Sequence, residues 1–104
     1  ERKLQNVDLV TTFNFLLGID VDKIKTEEHN GRIYRIITGT KKQQNYFVVW
    51  RKFDEALRLD EERDWIKSLS YFDENAKIYC NADNGFGAES TEAEFKRLMF
   101  EDVK

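Results

Sequence analysis

Proline is absent from this 104-residue chain, and cysteine and histidine occur once each, as Cys80 and His29. A single cysteine excludes a disulfide framework within the chain, and a zinc site would need several more thiolate or imidazole ligands. Cys80 lies in an apolar run, which predicts a buried and unreactive thiol. His29 directly precedes an Asn-Gly pair, so we expect it to be exposed at a turn. These residues therefore predict no metal or cofactor site.

The chain also lacks an excess of basic residues and any long apolar run. It carries 17 Lys and Arg against 20 Asp and Glu, a formal net charge of -3. Proteins that bind nucleic acid through their overall field are usually basic. Binding by bulk charge is therefore excluded, although local contact with DNA is not. The apolar runs are too short for a signal peptide or a membrane span, so we expect a cytoplasmic protein with no membrane partner.

The residues that are present are sufficient for one hydrophobic core. Hydrophobic residues make up 40% of the chain and aromatic residues 13%. We expect residues 1–104 to form a single domain, because domains are commonly of this size. The chain begins at Glu1 rather than at methionine, which suggests a C-terminal fragment of a longer protein, although processing would leave the same start.

Apolar residues at helical spacing predict three helices. The first covers residues 8–17, with Asp8 as its N-cap, and the second covers residues 60–70, with Asp60 as its N-cap. The third begins with a capping box formed by Thr91 and Glu94. Their apolar faces consist of Leu9, Phe13, Leu16 and Leu17, of Trp65, Ile66, Leu69 and Phe72, and of Phe95, Leu98 and Met99.

Runs rich in β-branched and aromatic residues predict four strands, over residues 19–29, 32–40, 46–50 and 77–81. Asn30-Gly31 predicts a type I′ turn between the first two strands. A polar turn over residues 39–45 is expected between the second and third. Residues 82–90 are interpreted as a loop.

The predicted class is α+β, with the order α-β-β-β-α-β-α and the helices packed on one mixed four-stranded sheet. The second helix connects the third and fourth strands, so these two strands are expected to be parallel, with a right-handed crossover. The preferred spatial order of the strands is 1-2-3-4.

The order α-β-β-β-α-β is also the core order of restriction-endonuclease-like nucleases, which raises the possibility of an enzyme. Such a site needs an acid on the second strand and an acid-x-Lys on the third, so that carboxylates hold Mg²⁺ beside a lysine. Neither strand supplies these carboxylates, and an active nuclease is not expected. The stretch Asn84 to Gly87 also lacks the spacing of a phosphate-binding loop and is interpreted as a plain connection.

Trp50 and Arg51 end the most continuous apolar run, and alternation places their side chains on opposite faces of the sheet. Two interpretations remain open. In the first, Trp50 closes the core and Arg51 is solvated. In the second, the pair anchors an interface, because Trp and Arg are enriched among binding hot spots. The basic pairs Lys41-Lys42 and Arg51-Lys52 lie at opposite ends of the third strand and are not expected to form one patch.

Four stretches resemble the C-terminal end of the methyltransferase (modification) subunit of type III restriction–modification systems. Residues 8–18 resemble its "LVETFNYLLGL" helix, residues 48–51 its "VIWR" strand, residues 79–83 its "YVNGD" segment and residues 94–101 its closing "EFKRLMFE". The order and approximate spacing agree over nearly the whole chain. Ala82 departs from the glycine of the third pattern.

The resemblance implies a non-catalytic accessory or assembly domain of a protein that methylates adenine N6 in a specific DNA site. The D/N-P-P-Y motif and the glycine-rich S-adenosylmethionine motif of that family are missing here, so the cofactor and catalysis would belong to the rest of the parent protein. The implied partners are that remainder, its oligomeric partner, and DNA through the parent. Candidate interface residues are Trp50, Arg51, Asn81 and Asp83. The alternative is a divergent nuclease-like or stand-alone nucleic-acid-binding module.

Overall fold

A computed structural model describes the backbone of residues 2–103 and the side chains of residues 9–98. The elements in chain order are α1 (Arg2–Leu17), β1 (Asp20–His29), β2 (Arg32–Lys41), β3 (Gln44–Arg51), α2 (Leu59–Ser68), β4 (Lys77–Cys80), β5 (Glu89–Ser90) and α3 (Thr91–Val103). The α+β class is confirmed. No helix within the described part of the chain is long and apolar enough to cross a membrane.

The sheet has five strands in the order β1-β2-β3-β4-β5. The pairs β1–β2 and β2–β3 are antiparallel, and β3–β4 is parallel, as predicted for a connection through α2. The prediction of four strands is wrong, because β5 adds a parallel edge strand beside β4. Strand β5 consists of two polar residues, Glu89 and Ser90, in the segment that was interpreted as a loop. It has no alternation of apolar and polar residues, so the sequence gives no sign of a strand there.

Both hairpin turns have two residues. Asn30 and Gly31 have φ angles of 54° and 75°, the left-handed pair that a type I′ turn requires, so that prediction is confirmed. The predicted turn over residues 39–45 is too long, because only Lys42 and Gln43 lie between β2 and β3. These two residues also have positive φ, 51° and 68°. Lys and Gln seldom adopt this conformation, so the sequence carried no signal for the turn.

The predicted helix starts are wrong by one or more residues. Helix α1 begins at Arg2, which places Asp8 inside the helix. Helix α2 has Arg58 at its N-cap position, and the Asp60 carboxylate accepts from the backbone N–H of Glu61 instead. At α3, the Ser90 hydroxyl oxygen accepts from Ala93 N–H at 3.1 Å and replaces the predicted capping box. Helix α3 starts directly after β5, so Ser90, the last residue of the strand, occupies the N-cap position.

The sheet carries one apolar cluster on each face. On the α2 face, Ile66 of α2 packs with Tyr34, Ile36, Phe47, Val49, Cys80 and Phe86. On the α1/α3 face, Phe13 and Leu17 of α1 pack with Ile19, Ile37, Val48 and Tyr79, and Phe95 and Leu98 of α3 lie against them. The buried positions predicted for Val48, Val49 and Cys80 are confirmed. The side chain of Met99 lies outside the described residues.

Candidate functional site

An open groove of about 880 Å³ lies on the α1/α3 face, at the end of the sheet where β3 finishes. It exists because α1 covers only part of this face. The C-terminal end of α1 lies at the opposite end of the sheet, where Lys41 Nζ donates to the Leu17 carbonyl at 2.9 Å. At the other end, Leu9 and Val10 of α1 and Phe95 and Lys96 of α3 line the groove, and among the described residues Ile33 stays 57% exposed there.

The floor of the groove is apolar. Leu9 and Ile33 are 42% and 57% exposed, and Trp50 and Phe95 are partly covered. The ring of Phe13 packs against both aromatic rings, with its centroid 5.8 Å from that of Trp50 and 6.0 Å from that of Phe95. Exposed aliphatic side chains next to buttressed aromatic rings are typical of a surface that another molecule covers.

The rim of the groove is positively charged although the whole chain is acidic. Arg35, Lys52 and Lys96 line it, and Glu92 is the one acidic residue among the described residues of the lining. Glu92 Oε2 lies 3.9 Å from Lys96 Nζ, whereas Arg35 and Lys52 form no ion pair with any side chain that the structure describes. Two cations therefore remain available at the groove.

Trp50 contributes an unpaired donor beside the groove. Its indole N–H is buried and has no hydrogen-bond partner among the described residues, and the side-chain oxygen of Asn14 in α1 is likewise buried and unpaired. Most buried polar groups in folded proteins are paired, because leaving one unpaired costs free energy. The described part of the domain supplies no acceptor for this donor.

Arg51 points to the opposite face, as alternation predicted, and forms a buried ion pair there. Its Nε and Nη2 donate to the two carboxylate oxygens of Glu62 at 2.7 and 2.9 Å, and Nη2 also donates to the Asp83 carbonyl at 2.7 Å. The two charged side chains are 0% and 1% exposed. The interpretation of Arg51 as solvated is wrong, because α2 lies over this end of β3 and supplies a carboxylate.

The Glu62 carboxylate holds a second donor, the hydroxyl of Tyr34, at 2.8 Å. Burial and this hydrogen bond raise the pKa of Tyr34. Burial is the largest single influence on Arg51 and disfavours its charged form, but the hydrogen bonds to Glu62 and the neighbouring groups together outweigh it and raise the pKa of the guanidinium. Glu62 could have been found from the sequence, because it lies four residues before Ile66 on the apolar stripe of α2. A carboxylate in that position indicates a buried cation.

Asn81 and Asp83 follow β4 and lie beside Arg51, at the end of the sheet where β3 finishes. The Asn81 amide donates to the Arg51 carbonyl at 2.7 Å and accepts from its backbone N–H at 3.1 Å, which extends the pairing of β3 with β4 by one side chain. The Asp83 side chain is exposed, and its carbonyl oxygen bonds Arg51. The structure thus brings the four candidate residues together. Trp50 and Asn81 line the groove, Arg51 borders it with its buried guanidinium directed to the opposite face, and Asp83 does not line it. Their role in an interface stays a prediction.

The described residues contain no group of three or more His, Cys, Asp or Glu side chains that could hold a metal ion. In the Asn84 to Gly87 loop, the backbone N–H groups of Phe86 and Ala88 donate to the Asn84 side chain and do not face a phosphate. The expectation of an exposed His29 is wrong in part. Its ring is half-buried and stacks on Trp65 of α2 at 4.4 Å between centroids.

The resemblance places S-adenosylmethionine in the rest of the parent protein. Among the described residues that line the groove, Glu92 is the one carboxylate, and it lies beside Lys96. In the glycine-containing loop, the N–H groups of Phe86 and Ala88 donate to the Asn84 side chain.

Comparison with protein-family models, with curated proteins and with solved structures found no match to this chain.

Proposed function

We propose that this chain is a non-catalytic assembly domain, similar to the C-terminal end of the modification subunit of a type III restriction–modification system. The observation that carries the proposal is the groove itself, with exposed Leu9 and Ile33 beside the partly exposed ring of Trp50. A surface of this kind gains stability when a partner covers it. The partner would be the rest of the parent methyltransferase or its oligomeric partner, in the cytoplasm.

The residues of this domain give no reason to assign it chemistry. The buried charged groups Arg51 and Glu62 form one ion pair, which Tyr34 and the Asp83 carbonyl also hold. They stabilise the fold and do not reach solvent. Methyl transfer and S-adenosylmethionine binding would then reside in the parent protein, and DNA would be contacted through it.

Assembly of the full-length protein tests this proposal. Ile33→Glu places a charge on the floor of the groove, where Ile33 is already exposed, so the domain should fold normally. We expect the affinity between subunits, measured by sedimentation, to fall by about tenfold or more, which corresponds to 1.4 kcal/mol. Phe15→Glu is the matched control, because Phe15 is 80% exposed on α1 and does not line the groove.

Two results would contradict different parts of the proposal. Unchanged assembly of the Ile33→Glu protein would exclude the groove as the assembly surface. A native gene without a D-P-P-Y sequence upstream of Glu1 would remove the methyltransferase parent and leave only an interaction domain.

A second candidate is a stand-alone nucleic-acid-binding module, which the rim cations Arg35, Lys52 and Lys96 around Trp50 favour. Three phosphate contacts would give a slope of log affinity against log salt of roughly -2.7 for duplex DNA. Titration of labelled single-stranded and duplex oligonucleotides at two salt concentrations measures this slope. Absence of binding at low salt would eliminate this candidate.

A further inference from the structure

The groove combines an apolar floor with a cationic rim on a domain whose net charge is -3. We infer that its occupant is an acidic, amphipathic segment of a protein partner, with apolar side chains on the floor and carboxylates at the rim. This inference rests on the proposed interaction function and adds the chemistry of the partner.

The floor favours protein over nucleic acid. Leu9 and Ile33 present aliphatic surface, 42% and 57% exposed, which offers neither a hydrogen bond nor an aromatic face for a base. Apolar side chains spaced along an amphipathic segment match such a surface, as in complexes where a helix lies in a hydrophobic groove.

The distribution of charge favours an acidic segment. Arg35 and Lys52 form no ion pair within 4 Å with a described side chain. The hydrogen bond from Arg32 lowers the pKa of Asp54, and Lys52 is close enough to help lower it. Arg35 and Lys52 therefore both present positive charge at the edge of the apolar floor. The acidic remainder of the domain repels an acidic segment from other surfaces and directs it to this groove. The cations at the rim would repel a basic segment.

Trp50 adds aromatic surface to the groove, and its ring packs edge-on against Phe13 with centroids 5.8 Å apart. Its indole N–H is buried and has no acceptor among the described residues, so the ring, and not this donor, is the part of Trp50 that an occupant contacts.

The test measures binding of three labelled 16-residue peptides by fluorescence anisotropy. Each has leucines at helical spacing, and the remaining positions are Glu in the first, Gln in the second and Lys in the third. We expect the Glu peptide to bind about tenfold tighter than the Gln peptide at 50 mM salt and to lose this advantage at high salt. Single-stranded and duplex oligonucleotides are measured in parallel.

Variants of the domain locate the binding site. The double variant Arg35→Glu, Lys52→Glu should weaken binding of the Glu peptide about tenfold or more. The matched control Lys23→Glu, Lys67→Glu changes the charge equally at two exposed residues that do not line the groove. It should remain within about twofold of the wild-type affinity, after allowance for overall charge.

Each of the other outcomes overturns the inference and shows which part of it is wrong. Equal or tighter binding of the Gln or Lys peptide would exclude an acidic occupant and leave the interaction function intact. Oligonucleotide binding that only the groove variant abolishes would assign the groove to nucleic acid. No peptide binding, together with loss of assembly in full-length Ile33→Glu, would show a groove that takes a different partner. No peptide binding and normal assembly would overturn the proposed function as well.

Discussion

The two faces of the sheet satisfy their polar groups in different ways. On the α2 face, Arg51 meets Glu62 within the domain, and both side chains are almost fully buried. On the α1/α3 face, the adjacent residue Trp50 has a buried N–H with no described partner, and Ile33 remains 57% exposed. Two consecutive residues of one strand therefore serve different purposes. On one face the opposite charges are paired inside the domain, although Arg51 Nη1 is buried without a described partner. The other face carries an exposed apolar groove.

The difference follows from where each helix lies. Helix α2 crosses the end of the sheet at which β3 finishes and brings a carboxylate to Arg51. Helix α1 packs over the other face but leaves the Ile33 end open. Covering an apolar surface stabilises a fold by about 25 cal/mol per Å² of apolar area removed from water. The open half therefore lacks a stabilisation that the α2 face already has.

The largest expected effect concerns Cys80, in the cluster on the α2 face. Burial raises the pKa of its thiol and also excludes a reagent. At pH 8 we expect the native thiol to react with a disulfide reagent about a thousandfold more slowly than the urea-unfolded thiol, since reaction requires opening of the fold. Absorbance of the released thiolate measures both rates. Comparable rates would show that the α2 face is not sealed.

The same pKa shift has a defined consequence at alkaline pH. Because the folded pKa lies above the unfolded one, the unfolded chain releases its thiol proton first as pH rises. Stability should therefore be unaffected by this group below its ordinary pKa and should decrease above it. Cys80→Ser removes the thiol titration and should flatten this part of the urea-unfolding profile against pH.

The next effect concerns the buried ion pair. Arg51→Met leaves the Glu62 charge buried without its cation, which should lower the free energy of unfolding by about 3–5 kcal/mol. Adding Glu62→Gln removes that charge, keeps an acceptor for Tyr34 and should restore at least half of the loss. Urea unfolding gives all three values. The control Arg63→Met removes an exposed pair with Asp64 and should cost about 0.5 kcal/mol or less.

A smaller effect is expected at Trp50, which is only partly buried. Trp50→Ala should cost about 3 kcal/mol, the lower end of the range for large aromatic truncations. Trp50→Phe keeps a ring against Phe13 but removes the unpaired N–H, so it should change stability by about 1 kcal/mol or less. Thermal and urea unfolding distinguish the two. A loss of several kcal/mol in Trp50→Phe would reveal a hydrogen bond within the domain.

The smallest effect tests the open half directly. Ile33→Ser should change the free energy of unfolding by about 0.5 kcal/mol or less, because the side chain is already exposed in the isolated domain. Ile36→Ser, on the sealed face of the same strand, should cost several times more. Equal costs at the two positions would mean that the two faces do not differ as described.

Several features of the fold and the site could be predicted from local sequence. The Asn30-Gly31 turn was identified because Gly, and Asn to a lesser degree, tolerates positive φ. The parallel pairing of β3 and β4 followed from a helix of sufficient length between them. Helix starts were less predictable. More than one residue near each start could occupy the N-cap position, for example Arg58 or Asp60 in α2 and Ser90 or Thr91 in α3. Which one does so depends on the direction in which the preceding segment enters the helix.

The sequence by itself determined the α+β class, the buried core of β3 and the placement of Trp50 and Arg51 on opposite faces. These depend on periodicity and on conformational preferences that act between near neighbours. Only the tertiary structure decided that Arg51 meets Glu62, that Asn81 bonds the Arg51 backbone from 30 residues away, and that the Ile33 end of the sheet is uncovered. Each of these depends on how separate elements pack, and packing depends on the shape and volume of the whole core rather than on any single stretch of residues.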